Sequence, residues 1–503
     1  MIKQTSRRNR VLLISHDVIS TNMAGPGIRS LELARVLSEE FDLVLATPND
    51  CQLEENGIRI HPYRYGNWEM IKGAFEQIDV IFATGFTLHE FPLIRDLEIP
   101  IVIDLFDPFP LENLCIFEDA DLDKKQVVHL TDAAIVDKMC HRGDFFICAN
   151  ARQRDWWLGV LQGKGRINFA TVHNNPSLND LIAEVPFGLP TRPFQKNGPG
   201  PKEQLPGVSP DDKLILWGGG LWNWLDPLTL IQAMPSILAQ EPRAKLLFPG
   251  TRHPNSAVPR MKRIDETIAL AEQLGLREQA VFFGDWVPYE EWTNYLADAD
   301  VAVSLHFDTL ETQFSAVRSR VLSYIWASLP MVVTEGDAAS KMVAQYELGE
   351  VVTYRNVDQV SQAILKVMAN SKTHYAANFE QVATQLTWHN VAQPLLTFCR
   401  TAHRAPDKEG KWADVTQQMS LEEQKKQLQQ QAEQLAHQEQ KMAQQQHYLI
   451  QQEQRIKQQE QRIKQQQQRI KEVEQLVQGY ERGKFITFMR KVDQLKRRIW
   501  KRP

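Results

Sequence analysis

Residues 311–330, ETQFSAVRSRVLSYIWASLP, set a carboxylate, Glu311, ahead of two guanidinium groups, Arg318 and Arg320. The stretch reads as a loop running into a helix and then toward a buried strand. Cations at a helix entrance add to the free N–H groups and the positive dipole end that already favour an anion there. A nearby carboxylate accepts hydrogen bonds from hydroxyls, so the three together suit a ligand that is both anionic and hydroxylated. The competing reading is an internal salt bridge between Glu311 and the arginines. Ser323, one turn further on, can donate a hydrogen bond but carries no charge.

Three other stretches hold candidate chemistry. In HDVISTNMAGPGIRS (16–30), Gly25 and Gly27 flank Pro26 and Arg29 follows at an expected helix start, an arrangement that suits an anion or plain turn chemistry. It is not a G-x-G-x-x-G fingerprint, and no acid stands where a nicotinamide dinucleotide needs one. VIDLFDPFPLENL (102–114) puts Asp104 and Asp107 at the end of a strand, facing a cleft or, for Asp107, capping a turn before Pro108. WGGGLWNWLDPLT (217–229) offers Gly218, Gly219 and Gly220 as an amide nest for phosphate. There Trp222 and Trp224 are placed to stack on a ligand or to pack, and Asp226 to cap a helix with Pro227 in its first turn.

Short unbroken apolar runs alternate with amphipathic stretches and position these loops. RVLLIS (10–15), DLVLAT (42–47), DVIFAT (79–84), IVIDLFD (101–107) and FFICAN (145–150) predict one parallel sheet covered on both faces. KLILWGGG (213–220), AKLLFPG (244–250), AVFFGD (280–285), ADVAVSL (299–305) and LPMVVTEG (329–336) predict a second. Residues 191–212, dense in Pro and Gly, read as the linker between them. Two doubly wound domains, 1–190 and 213–385, would face each other across a cleft at the carboxyl ends of their strands. A closing helix (386–402), broken at Pro394, and a polar spacer (403–418) would follow.

From 421 onward Leu421, Leu428, Leu435, Met442, Leu449, Ile456, Ile463, Ile470 and Val477 recur at strict seven-residue spacing, and QQEQRIK repeats. Residues 419–478 therefore predict a Gln-rich coiled coil, roughly 85 Å long, with a half-polar interface and a role in self-association. The tail, 479–503, carries nine Lys or Arg against two acids. Its apolar residues fall largely on one helical side, so residues 482–502 predict contact with an anionic membrane surface, or else packing on a partner.

Composition narrows the class. The formal net charge is −5 over 503 residues, with no basic–aromatic stacking array, so nucleic acid is not an expected partner. Five cysteines without a C-x-x-C read as reduced thiols, and no metal site is expected. No run nears the roughly 18 apolar residues of a membrane span. The expected location is the cytoplasm, peripheral to its membrane.

With VPFGLP (185–190), SLPMVV (328–333), FICANARQRDWWLG (146–159) and GTRHPNSAVP (250–259), residues 10–402 resemble the B-type-fold glycosyltransferases, specifically the retaining, nucleotide-sugar-dependent family 4. The resemblance implies transfer of a sugar from a nucleotide donor held mainly by the second domain, without metal or cofactor, the nucleotide sugar being a substrate. It implies a glycan or lipid-linked acceptor and a place in surface polysaccharide synthesis. The family pattern of two glutamates eight residues apart is met only in part. Ser323 occupies the second position, and Glu311 lies four residues upstream of the first. The family's Arg and Lys after the 217–220 strand are replaced by Gly220 and Leu225. Arg318 and Arg320 are the expected substitutes for phosphate binding, with Arg252 and His253 as second candidates. Glu311 would hold sugar hydroxyls, Gly218–Gly220 the phosphates, and Gly25, Gly27 and Arg29 would close over the donor. Asp104 or Asp107 would orient the acceptor. The alternative is a degenerate glycan- or nucleotide-binding scaffold acting through its coiled coil.

Overall fold

The computed structural model describes residues 7–173, 175–255, 258–370 and 372–500. The first six residues, Ser256 and Ala257 of the 250–259 loop, and Lys501 and Arg502 of the basic tail lie outside these. Two all-parallel sheets form one compact unit that extends to Ala413. The first contains β1 (Arg10–Ile14), β2 (Asp42–Thr47), β3 (Ile58–Pro62), β4 (Val80–Thr84), β5 (Ile101–Asp104), β6 (Phe145–Cys148) and β7 (Ile182–Glu184), in the order β3-β2-β1-β4-β5-β6-β7. The second contains β8 (Lys213–Trp217), β9 (Ala244–Pro249), β10 (Val281–Gly284), β11 (Val301–Ser304), β12 (Met331–Thr334) and β13 (Gly349–Val352), in the order β10-β9-β8-β11-β12-β13. Each order reverses beside its first strand, and the loops leaving β1, β4, β8 and β11 flank these switch points. This is the two-domain B-type glycosyltransferase architecture.

The central strands are the apolar runs anticipated from the sequence, and they are buried on both faces. β3, β7 and β13 were not anticipated. The first two lie at sheet edges in the first domain and β13 at an edge in the second, so they lack the continuous apolar run of a central strand. The helix after β1 spans Gly25–Glu40 and begins a full turn earlier than expected, with Pro26 in its first turn.

The chain crosses back to the first domain at its end. Trp388 N–H donates to the Leu189 carbonyl at 3.0 Å, and the closing helix is split at Ala392 into Trp388–Val391 and Gln393–Arg400, with Pro394 in the first turn of the second piece. Phe398 stacks on Phe145 at 4.8 Å, and Arg400 pairs with Glu40 at 2.6 Å. The predicted spacer is docked rather than loose at its start: Asp407 forms a buried ion pair with Arg166 at 2.6 Å, and Arg404 meets Asp144 at 3.3 Å.

The second unit runs from Asp414. It consists of most of a single 73-residue helix, Gly410–Arg482, and a separate helix, Lys484–Ile499, set off at Gly483. No helix among the described residues is long and apolar enough to cross a membrane.

Candidate functional site

A cleft of about 860 Å³ lies between the two sheets, lined from both domains. From the first come His16 and Asp17 after β1, Gly25 at the helix start, and Asp107 and Glu112 after β5. From the second come Gly219 and Gly220 after β8, His253 after β9, and Glu311, Arg318, Arg320 and Ser323 around the helix Ser319–Trp326.

Glu311, Arg318 and Arg320 do meet in this cleft, but they take different roles. Glu311 is buried and holds Arg318 in a two-pronged pair, with Nη1 donating to Oε1 at 3.0 Å and Nη2 to Oε2 at 2.9 Å. Burial alone would lower the Arg318 pKa, yet the Glu311 carboxylate holds it above its ordinary value. The salt bridge weighed against a ligand role is therefore present: Glu311 and Arg318 are each other's main side-chain partners, and both line the cleft. Arg318 caps the helix and Arg320 is two residues on, so their side chains diverge around the helix axis.

Arg320 has no carboxylate partner among the described residues. Its Nη2 donates to the Gly220 carbonyl at 2.7 Å and its guanidinium lies 5.2 Å from the centre of the Trp217 ring. Nη1 is buried with no hydrogen-bond partner among the described residues. Burial pushes its pKa down to about 10. A cation 8% exposed, in a cleft wall and with no carboxylate in ion-pair contact among the described residues, is an electrostatic socket for an anion.

The glycine loop is divided as well. The Gly218 N–H donates to the Tyr324 hydroxyl at 2.7 Å, so it cannot serve a phosphate as predicted. Gly219, at φ +72°, and Gly220 remain on the cleft wall, and only Gly219 needs the left-handed backbone. Trp222 and Trp224 stack on each other at 5.1 Å, and His253 meets Trp222 edge-on at 5.4 Å. Burial lowers the His253 pKa. Asp226 caps the next helix, accepting from Thr229 N–H at 3.1 Å. Arg252 is exposed and outside the cleft lining, which corrects its assignment.

In the first domain three expectations are corrected. Arg29 sits one turn inside its helix, not at the start. It forms a fully buried pair with Asp104, Nε donating to Oδ2 at 2.7 Å and Nη2 to Oδ1 at 3.1 Å, and it also donates to the Val185 carbonyl at 2.9 Å. The pair ties the first helix to the ends of β5 and β7, and neither residue lines the cleft. Gly27 is a packing residue: a Cβ there would lie 2.5 Å from the Val18 carbonyl oxygen. Gly25 does face the cleft, where a Cβ would stand 3.5 Å from Ser319 Oγ of the second domain. The Ser323 hydroxyl donates back to the Ser319 carbonyl at 3.1 Å.

Asp107 lines the cleft with a neighbour missed by sequence reasoning. Glu112 is hydrogen-bonded to it through the side chain, and burial raises both carboxyl groups. The neighbouring Asp107 carboxyl raises Glu112 further. His16 and Asp17 were also missed, although SHD directly follows the β1 run. Asp17 accepts from Asn255 of the second domain at 2.8 Å, and His16 Nδ1 is 3.0 Å from Thr84 Oγ1.

Residues 212–370 match the family model described as glycosyl transferases group 1. No curated protein matches the chain by sequence. Among solved structures, a sucrose-phosphate synthase from Thermosynechococcus elongatus is similar at 15% identity and TM-score 0.55, covering 78% of this chain and 99% of that one. WaaG, a glycosyltransferase involved in lipopolysaccharide biosynthesis, is similar at 15% identity and TM-score 0.54, covering 77% and 99%. Anabaena HepE, solved with UDP and glucose, is similar at 15% identity and TM-score 0.54, covering 78% and 98%. The chain thus has the fold of the B-type glycosyltransferases. More particularly, residues 212–370, most of the second domain, match the model of the glycosyl transferases of group 1.

Proposed function

We propose that the protein transfers a sugar from a nucleoside-diphosphate sugar to a glycan or lipid-linked acceptor, with retention of anomeric configuration, in the synthesis of a surface polysaccharide. The observation that carries the donor half of this reading is Arg320, an unpaired buried cation beside Gly219 and Gly220. A diphosphate would supply the missing counter-charge, and the negative charge that grows on the leaving group would meet a guanidinium already fixed in place. That is why we assign the leaving-group role to a side chain and not to a metal. UDP is the first nucleotide to test, since HepE was solved with it.

In the reaction, the bond from the anomeric carbon to the diphosphate oxygen breaks, and the acceptor oxygen bonds to the same face. The acceptor proton passes to the departing diphosphate. Asp107 and Glu112, opposite the second-domain residues, would accept hydrogen bonds from acceptor hydroxyls. Glu311 acts by holding Arg318 at the helix entrance.

The Lys484–Ile499 helix supports a peripheral membrane role at the cytoplasmic face. Phe485, Phe488, Leu495, Ile499 and Trp500 are exposed, among basic residues. The 419–478 heptads support self-association.

Thermal-shift measurements with UDP, GDP, TDP and ADP, followed by donor hydrolysis, test the enzymatic reading. No shift with any nucleotide, on folded protein, would overturn it. Flotation with vesicles containing anionic lipid, comparing the full chain with one ending at Gln478, tests the tail; equal flotation would remove the membrane role.

A further inference from the structure

The long helix carries information about its partner that the apolar spacing alone does not. Its nine seven-spaced residues all project exposed side chains, from 47% for Leu421 to 64% for Leu428, so the stripe has no cover within the chain's described residues. Three residues after each of the first seven stands the same residue type: Gln424, Gln431, Gln438, Gln445, Gln452, Gln459 and Gln466. The next two such positions are Val473 and Tyr480. If the apolar residues are the first core position of the heptad, these glutamines are the second. With the apolar residues as the second position, five of the eight first positions from 425 to 474 would be charged (Lys425, Glu439, Glu453, Glu460 and Glu474), a core that no interface would bury unpaired.

We propose that residues 421–477 form a parallel coiled coil with a second copy of this chain, in which glutamine layers alternate with apolar layers. Two independent features select that orientation. In a parallel pair each core position meets its own equivalent, so leucine or isoleucine packs on itself and each glutamine meets a glutamine. A carboxamide both donates and accepts, and a second carboxamide satisfies it. In an antiparallel pair the two core positions meet each other, and every glutamine would be buried against an apolar side chain with its hydrogen bonds unmade.

The flanking charges agree. Four of the positions just before an apolar layer hold Lys441, Arg455, Arg462 and Arg469; Glu439, Glu453 and Glu460 each follow a glutamine layer, and Glu474 follows Val473 at the equivalent place. Parallel helices bring Arg455 to Glu460 and Arg469 to Glu474 of the other copy. Antiparallel helices at full overlap would bring Arg455 to Lys441 and Glu460 to Glu439. The glutamine layers thus give up some stability and specify the partner. A parallel rod also ends with both copies of the Lys484–Ile499 helix together, so that two weak membrane contacts act as one.

The inference rests on the self-association proposed above, and the experiment separates the two. Sedimentation of the full-length protein at micromolar concentration establishes whether it associates; a monomer overturns both readings. Gln431→Cys and Gln466→Cys, each in the full chain, are then oxidised with the unsubstituted protein and its own five cysteines as control. Each position lies far from the helix midpoint, so a parallel pair brings it to itself within disulfide reach and an antiparallel pair does not. The expected result is a disulfide-linked dimer as the major species for each variant and not for the control. Association without such a dimer in either variant overturns the parallel arrangement. As a second arm, Arg455→Glu with Arg469→Glu should weaken association about ten-fold. Adding Glu460→Arg and Glu474→Arg should restore it; failure of that rescue also overturns the proposal.

Discussion

Replacing Arg320 by methionine removes a buried charge while keeping an unbranched stem that reaches as far as Nε. Burial lowers the pKa of this guanidinium to about 10, so at neutral pH the folded, unliganded protein carries about 3 kcal/mol of net charge-burial penalty at this residue. The sign follows from linkage: the native state holds this proton less tightly than the unfolded chain, so the penalty is complete below pH 10 and fades only above it. The substitution relieves that penalty but loses the hydrogen bond to the Gly220 carbonyl, about 1.5–3 kcal/mol for a charged donor, and the contact with the Trp217 ring. The two sides nearly cancel, and unfolding stability should change by no more than about 1–2 kcal/mol. Nucleotide binding has no such compensation. Loss of a buried cation facing a phosphate costs about 3 kcal/mol, or roughly a 100-fold weaker Kd. Nucleotide at 100 times the wild-type Kd stabilises by about 2.7 kcal/mol, and in the variant by about 0.4 kcal/mol. Denaturant titration and thermal shift with nucleotide measure both quantities. Arg29→Met is the internal control: it strands Asp104 in the core and should destabilise by about 3–5 kcal/mol. Arg320→Met that loses as much stability as Arg29→Met, or that keeps the nucleotide shift, would refute the assignment of Arg320 as the unpaired anion-binding cation.

Two further outcomes are expected. Glu112 is raised well above 4.5 by burial and by Asp107, so its stabilising contribution is complete below about pH 4.5 and is lost as pH rises through its folded value. Glu112→Gln cannot ionise, and its stability relative to wild type should climb as pH rises above 4.5 in denaturant titrations; a pH-independent difference would contradict the raised Glu112 carboxyl. Gly27→Ala should destabilise by about 1–3 kcal/mol because its methyl meets the Val18 carbonyl, whereas Gly25→Ala makes only ordinary contact with Ser319 and should be near neutral in the same titration.

The sequence by itself determined the features that depend on near neighbours. Central parallel strands are legible because burial on both faces demands an unbroken apolar run, and β1, β4, β8 and β11 show it. The Asp226–Pro227 helix start and the heptad repeat are equally local, since a cap and a helical stripe are set within a few residues. Gly219 and Gly220 after β8 and the cluster at 311–320 were recognisable as cleft residues because strand ends at a switch point must face it. Which charges are paired was decided only by tertiary structure. Arg29 and Asp104 are 75 residues apart, and both had the residue type and strand-end position of site residues. Glu311 had two arginines within ten residues, and helix geometry gave it Arg318 and sent Arg320 toward Gly220. Glu112 reads as an ordinary residue in the first turn of a helix until Asp107 is packed against it. Edge strands were missed for the same reason, since an edge is defined by what lies beside it. Electrostatics in a folded chain depends on distance and burial, and neither is written in the order of the residues.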